Sequence, residues 1–197
     1  PFAQEQMHAG LLRPDSAPAP ALAEAASVAS EIAAMGDLVP ARAPVAIVFD
    51  YESAWAWAIQ PQGRDFDYFR LVFSAYRALR TLGLSIDILP PDTGDLSAYR
   101  LVLVPGLACL PPRLTAALAG AGGEVILGPR TNAKTPHMAI PVPLPPALPG
   151  LDATVALVES LPPGARHPLV RGGTVQHWIE HLEGSAEVGE QTAEGRP

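Results

Sequence analysis

The feature that most limits the fold is a continuous apolar run, PVAIVFDY, at residues 44–51. An unbroken run of this length is typical of a strand buried on both faces of a parallel sheet. Short apolar segments and helical patterns alternate after it. The predicted order is strand 44–51, helix 65–84, strands 85–91 and 99–106, helix 111–123 and strand 124–129. This alternation predicts an α/β fold, a flavodoxin-like doubly wound parallel sheet with helices on both faces.

The segment between the first strand and the helix that follows it, residues 52–64, is expected to be a loop. The helix at 65–84 is predicted from apolar residues at helical spacing. Asp65 is its predicted N-cap, because a short side-chain oxygen can accept a hydrogen bond from a free backbone N–H. Gly83 is its predicted C-terminal stop.

Weaker patterns lie on either side of this region. Residues 22–35 combine good helix formers with helical apolar spacing, so we predict a helix there, after a Pro-rich loop. Residues 131–150 are expected to be a long Pro-rich loop, because Pro fixes φ and has no backbone N–H. Residues 153–162 alternate as an edge strand does, and 174–184 are compatible with a strand or a short helix. Neither terminus carries a capping pattern, so we expect both ends to be cut.

Composition and charge exclude several classes of partner. The formal net charge is −7 and Lys134 is the single lysine, so no nucleic-acid partner is expected, because such proteins cluster Lys and Arg. No apolar run reaches about 18 residues, so no membrane partner is expected. The start has no signal-peptide pattern, and we expect a cytoplasmic protein. Cys109 is the single cysteine, which excludes an internal disulfide and a multi-cysteine zinc site. No cofactor or metal is expected.

Three sets of side chains stand where chemistry is possible, and each has a simpler interpretation. Asp50 and Glu52 follow the first strand, where α/β proteins bind ligands. They lack the second aspartate and the later Asp pair of the haloacid-dehalogenase pattern, so we interpret them as hydrogen-bonded strand-end residues. Cys109 lacks the tight glycine flanks of an amidotransferase nucleophile, which favours a buried structural thiol. His177 and His181 have the spacing of a metal pair on a helix, but without an adjacent carboxylate we expect them to be exposed.

Two further groups suit recognition rather than catalysis. Glu5 and His8 lie one helical turn apart and would face the same side. A carboxylate and an imidazole together can hold sugar hydroxyls, although the residues alone favour plain surface positions for both. Trp55 and Trp57, with Tyr51 close by, are flat apolar side chains of the kind that sugars or partner proteins contact. We expect an exposed surface around the two tryptophans.

Five segments of the chain, in register, resemble the β-galactosidases of glycoside hydrolase family 42. The segments are EQMHAGLLRPDSAPAPAL, VAIVFDYESAWAW, YRALRTLGLSIDILPP, DLSAYRLVLVPGL and GGEVILGPRTNAKT. Each segment alone is a weak signal, and the five together are specific. The resemblance covers about residues 3–185.

The resemblance implies a domain organisation. Members of the family have a catalytic (β/α)8 barrel, a central domain with a class I glutamine amidotransferase-like fold that mediates trimerisation, and a small β domain. By this comparison residues 1–36 would be the last loop and helix of the barrel, 37–43 a linker, and 44–197 the trimerisation domain, truncated at its C-terminal end. A homotrimer is therefore expected.

The resemblance also implies a site. The family's E-Q-x-H segment binds galactose hydroxyls, and it matches residues 5–8, so Glu5 and His8 are expected in the sugar subsite. Met7 stands where the family usually has an aromatic residue. The family's two catalytic glutamates and its structural zinc, where present, lie upstream, so the chain is expected to be an inactive fragment of a retaining β-galactosidase that hydrolyses terminal β-galactosides. A non-catalytic assembly or ligand-binding module remains the alternative, and acyl transfer through Cys109 is a third.

Overall fold

The structure is a computed structural model that describes residues 10–188 and 192–193 of the 197-residue chain. The chain divides into two compact units, residues 1–41 and 42–197. In its described residues, 10–41, the first unit has the helix α1 (Pro20–Ala34), which confirms the helix expected at 22–35. It begins with Pro in its first turn, where the missing N–H costs nothing. None of its residues is buried within its own unit, and Val28 and Ile32 are exposed.

The second unit combines a parallel sheet with helices and small antiparallel sheets. Its first elements are β1 (Val45–Val48), α2 (Tyr51–Ile59), α3 (Tyr68–Thr81), β2 (Ile86–Leu89), β3 (Leu101–Val104), α4 (Pro112–Ala119) and β4 (Glu124–Leu127). The later elements are β5 (Ala153–Ser160), β6 (His167–Pro168), β7 (Thr174–Val175) and β8 (Trp178–Gly184). The α/β class predicted from the alternation of elements is confirmed.

The main sheet is parallel throughout, with the strand order β2-β1-β3-β4. All four residues of β1 are buried, with exposures of 0–4%, because the strand has a neighbour on each edge and packing on each face. The chain leaves β1 toward β2 and later moves the opposite way, from β3 to β4. Right-handed crossovers in opposite directions place their helices on opposite faces of a sheet, so α2 and α3 belong to one face and α4 to the other.

Helix α2 corrects the expectation of a loop at 52–64. Asp50, two residues after β1, caps this helix: its carboxylate accepts hydrogen bonds from the backbone N–H of Glu52 and of Ser53, at 3.2 and 2.8 Å. The Ser53 hydroxyl also donates to Asp50, and accepts from the Ala108 N–H, at 2.6 and 2.9 Å. A single carboxylate therefore joins the end of β1, the start of α2 and the loop after β3.

The start of α3 also differs from the expectation. Its N-cap is Asp67, whose carboxylate accepts from the Arg70 N–H at 2.6 Å, and Asp65 lies outside the helix. The apolar periodicity extends across this boundary, so periodicity alone did not distinguish the two aspartates. Gly83 follows the helix with a positive φ of 78°, as expected for a helix stop.

The C-terminal strands form two separate antiparallel sheets. β5 pairs with β8, and β6 with β7. The segment at 153–162 is therefore a strand as expected, but it pairs in its own two-stranded sheet and not at the edge of the main one. The segment at 174–184 is strand, not helix. Residues 131–150 contain no helix or ladder strand, which confirms the expected loop.

We expect Asp50→Ala to lower the free energy of unfolding by about 2 kcal/mol, because α2 loses its N-cap and the buried Ser53 hydroxyl loses its acceptor. Urea denaturation monitored by circular dichroism measures the change. Asp92→Ala is the matched control, since Asp92 is an exposed carboxylate, and its effect should stay within about 0.5 kcal/mol. Equal effects of the two substitutions would contradict the role assigned to Asp50.

Candidate functional site

In α/β proteins, ligands bind at the carboxyl ends of the parallel strands. The Asp50 carboxylate at the end of β1 is engaged by α2 and Ser53, and Glu52 is exposed in the first turn of that helix. Their interpretation as hydrogen-bonded strand-end residues is confirmed for Asp50. In residues 10–188 and 192–193, no group of three His, Cys, Asp or Glu side chains could hold a metal ion.

Cys109 lies in the loop after β3 and is half-buried. Burial raises the pKa of its thiol, and the nearby carboxylates of Asp50 and Glu52 raise that pKa further. A catalytic cysteine needs the opposite environment, because the thiolate is the nucleophile. The surroundings of Cys109 therefore favour a neutral, structural thiol.

The turn after β4 presents Arg130, which sequence reasoning did not single out. Arg130 has a positive φ of 63°, an uncommon conformation for a residue with a side chain. Its guanidinium carbon lies 5.5 Å from the ring centroid of Trp57 and 5.4 Å from that of Trp178. These are cation–π distances. Arg130 therefore links the core of the main sheet to strand β8.

Glu180 completes this link on the side of β8. Its carboxylate accepts hydrogen bonds from the Arg130 backbone N–H at 2.8 Å and from the Trp178 indole at 3.1 Å. Burial lowers the pKa of Arg130, and the Glu180 charge opposes that shift. The buried Nε of Arg130 has no hydrogen-bond partner in the described part of the chain, so the two aromatic faces are the main contacts of the cation.

The two C-terminal histidines do not form the helical metal pair that their spacing allows. The segment is strand, with His181 inside β8 and His177 just before it. The Nε2 of His181 lies 2.6 Å from a carboxylate oxygen of Glu159, on the paired strand β5. His181 is only partly exposed, so the expectation of an exposed side chain is wrong for His181, whereas His177 is exposed as expected.

Trp55 and Trp57, which are expected to form one surface, lie on opposite sides of α2. Trp57 is 2% exposed, and its indole N–H donates to the Gly106 carbonyl at 2.7 Å. Trp55 is 62% exposed. Residues two apart on a helix are separated by about 200° around its axis, so only one of them can face solvent when the other lies in the core. The expectation of a surface that includes Trp57 is wrong.

A continuous line of aromatic rings extends from Trp55 across α2 and α3, and we call it the aromatic ladder. Neighbouring ring centroids are 4.9 to 6.5 Å apart, the range of favourable aromatic pairs. In order along the line, the ladder consists of Trp55, Tyr51, Phe49, Phe69, Phe73 and Tyr76. Four of these side chains, Tyr51, Trp55, Phe69 and Phe73, are 49–67% exposed.

The ladder exists because α3 is apolar on two sides. Tyr68, Val72 and Leu79 are buried against the main sheet. Phe69 and Phe73, one position further along, stack outside with their rings 5° from parallel. An exposed apolar patch of this kind is a mark of an interaction site. The excess of aromatic residues on α3 is a signal that was already visible in the sequence.

Glu5 and His8, the residues expected in a sugar subsite, lie outside the described residues, so their placement stays a prediction. Among the described residues, no helix has the length and apolar character required to cross a bilayer. Among the described residues, the aromatic ladder is the candidate interaction site that we consider below.

Comparison with known proteins identifies the family. The sequence profile described as "Beta-galactosidase trimerisation domain" matches residues 43–195. The chain is 47% identical to "Beta-galactosidase BgaA" of Thermus sp over 190 residues, and 46% identical to a β-galactosidase of Thermus thermophilus over 193 residues. In both cases the match covers 91% of this chain and 29% of the relative.

A solved structure agrees with these sequence matches. The crystal structure of a β-galactosidase from the psychrophilic Marinomonas ef1 has a TM-score of 0.74 and 37% identity. The match covers 100% of this chain and 32% of that one, so the chain spans about a third of the length of its relatives. The resemblance noted in the sequence is confirmed: the chain belongs to the β-galactosidases of glycoside hydrolase family 42 and contains their trimerisation domain.

Proposed function

We propose that this chain is part of a retaining β-galactosidase, and that it supplies the surface through which the subunits associate into a homotrimer. The observation that supports the proposal is the aromatic ladder, an exposed apolar surface on a unit that the family comparison describes as a trimerisation domain. The specific interface cores of oligomers are enriched in aromatic residues of this kind. Substrate hydrolysis would then belong to the parts of the enzyme that this chain does not span.

The architecture supports a scaffold role. The strand order β2-β1-β3-β4 is the beginning of the flavodoxin-like order, which agrees with an amidotransferase-like fold. In acyl-transfer enzymes, a sharp strained turn after a strand presents the nucleophile. The strained turn after β4 here presents Arg130, which is held between two indole rings. The fold would therefore be used for assembly and not for acyl transfer.

The sugar subsite is the second part of the proposal. Residues 1–36 would be the end of a (β/α)8 barrel, 37–43 a linker and 44–197 the trimerisation domain, in a cytoplasmic enzyme. Residues at the carboxyl ends of barrel strands contact substrate, and Glu5 and His8 would bind hydroxyls of a terminal β-galactose. A retaining glycosidase uses two carboxyl groups about 5–5.5 Å apart, and that pair would lie outside this chain. The chain alone is then inactive.

A non-catalytic assembly module remains the second candidate, because the aromatic ladder would serve it equally well. The upstream part of the complete natural polypeptide distinguishes the two. Two glutamates at the carboxyl ends of barrel strands would mark the enzyme, and their absence would mark the module.

Glu5→Gln and His8→Ala, made separately in the complete natural polypeptide, should lower kcat/KM for an aryl β-galactoside by roughly 10- to 100-fold, the value of a charged hydrogen bond to substrate. Initial rates measure the effect. Glu24→Gln on the exposed side of α1 is the matched control and should leave kcat/KM unchanged. Wild-type rates in both variants would remove Glu5 and His8 from the subsite.

Cys109→Ser should leave β-galactoside hydrolysis unchanged, because the thiol takes no part in it. In the wild type, alkylation of Cys109 by iodoacetamide should be slower than that of glutathione at pH 8. Its rate should rise only at higher pH, since burial and the Asp50 and Glu52 charges raise the pKa of the thiol. Fast alkylation at pH 7 would contradict a neutral, structural thiol, and lost hydrolysis in Cys109→Ser would contradict its passive role.

Trp55→Glu should dissociate the trimer in the complete natural polypeptide, because it places a charge on the aromatic ladder, at an exposed ring at one end of it. Exposed anchors of interfaces are worth about 2 kcal/mol or more each, roughly a 30-fold weaker contact. Sedimentation velocity measures the mass. Leu82→Glu is the matched control, an exposed apolar residue outside the ladder, and should retain the wild-type mass. An unchanged mass in Trp55→Glu would show that the ladder is not the interface.

A further inference from the structure

A second exposed apolar feature lies in the long loop after β4. Residues 136–144, which we call the Pro-rich arm, have the sequence PHMAIPVPL. Met138, Ile140, Val142 and Leu144 occupy alternate positions and are exposed, with Val142 at 91%. The sequence has no Asp, Glu, Lys or Arg from Thr135 to Leu151. The arm therefore presents apolar side chains to solvent with no charge to desolvate when they are covered.

The base of the arm is fixed to the body of the domain. Asn132 holds both ends: its carboxamide oxygen accepts from the Leu110 N–H at 3.1 Å, and its carboxamide nitrogen donates to the Pro146 carbonyl at 2.8 Å. The Val155 N–H of β5 donates to the Pro145 carbonyl at 2.9 Å. The arm is consequently an anchored projection rather than a free tail.

The arm is also partly preorganised. Thr135 forms a local turn with Ala139, through the Thr135 N–H to the Ala139 carbonyl at 2.8 Å and the Ala139 N–H to the Thr135 hydroxyl at 3.2 Å. Pro141 and Pro143 restrict φ in the segment that follows. A segment that is already restricted loses little conformational freedom when it is bound. These properties suit a segment that docks on another surface.

The symmetry of a trimer requires two different surfaces on each subunit. In a closed ring of three copies, each contact is heterologous: one patch of a subunit meets a different patch of its neighbour. The aromatic ladder lies on the connection between β1 and β2, at one end of the strand order, and the arm follows β4, at the other end. In the chain, the ladder thus belongs to the connection that leads to one edge strand, β2, and the arm follows the other edge strand, β4.

We propose that the Pro-rich arm of one subunit packs against the aromatic ladder of the next, so that three identical contacts close the ring. The inference rests on the homotrimer proposed above and names the surface that covers the ladder. Proline rings and aliphatic side chains dock well on exposed aromatic faces, as Pro-rich peptides do in aromatic grooves. The partner is therefore a second copy of this chain.

Val142→Asp in the complete natural polypeptide tests the arm. The substitution places a charge at a 91% exposed position, so the fold should be unaffected and the thermal unfolding of the isolated subunit unchanged. Sedimentation should show dissociation to the extent seen in Trp55→Glu. Val170→Asp, at another exposed valine in a different loop, is the matched control and should keep the wild-type mass.

Combining the variants tests whether the two surfaces meet. Because Val142→Asp and Trp55→Glu would break the same contact, the double variant should dissociate no further than either single variant. An equimolar mixture of the two single variants should form mixed dimers, since one partner retains its arm and the other its ladder. Such a dimer cannot close into a ring.

The outcomes separate this inference from the proposed function. A wild-type trimer that persists in Val142→Asp but dissociates in Trp55→Glu overturns the arm contact and leaves the assembly role of the ladder. Mixtures that contain monomers alone overturn the pairing of arm with ladder. A wild-type polypeptide that sediments as a monomer overturns the homotrimer and the arm contact together.

Discussion

The burial of strand β1 is the constraint on which the rest of the structure depends. Each of its four residues is at most 4% exposed, which requires a strand on both edges and a helical layer on both faces. The neighbours are β2 and β3, so the chain must leave β1 in one direction and return past it in the other. Since parallel crossovers are right-handed, this order covers both faces and leaves β2 and β4 at the ends of the sheet.

The same constraint decides which aromatic residues are available for association. Helices α2 and α3 must each place one side against the sheet, and they do so with Trp57, Tyr68 and Val72. The exposed rings of these helices face away from the core and are linked through Phe49, which packs against it; they are Tyr51, Trp55, Phe69 and Phe73. The aromatic ladder is thus a direct consequence of two helices that are apolar on more than one side. Solvent exposure of such rings is costly, which is the physical reason to expect a partner there.

The sequence predicted the four parallel strands and helices α3 and α4 because each has a clear apolar pattern. It missed α2, since that helix follows β1 with no intervening polar segment and its start depends on a cap by Asp50. The sequence pattern placed the N-cap of α3 at Asp65 instead of Asp67, because both aspartates precede the same run of apolar residues at helical spacing. Periodicity identifies an element but does not identify its first hydrogen bond. The spacing of His177 and His181 suggested a helix, but the segment is a strand because it pairs with β5.

By itself the sequence determined the α/β class and the family, since these depend on local patterns and on matching motifs. Tertiary structure alone decided that Trp57 belongs to the core and Trp55 to the surface, and that Arg130 lies between Trp57 and Trp178. It also decided that Cys109 lies near two carboxylates. These facts join residues that are far apart in the chain, and their distances follow only from the order in which the strands pair.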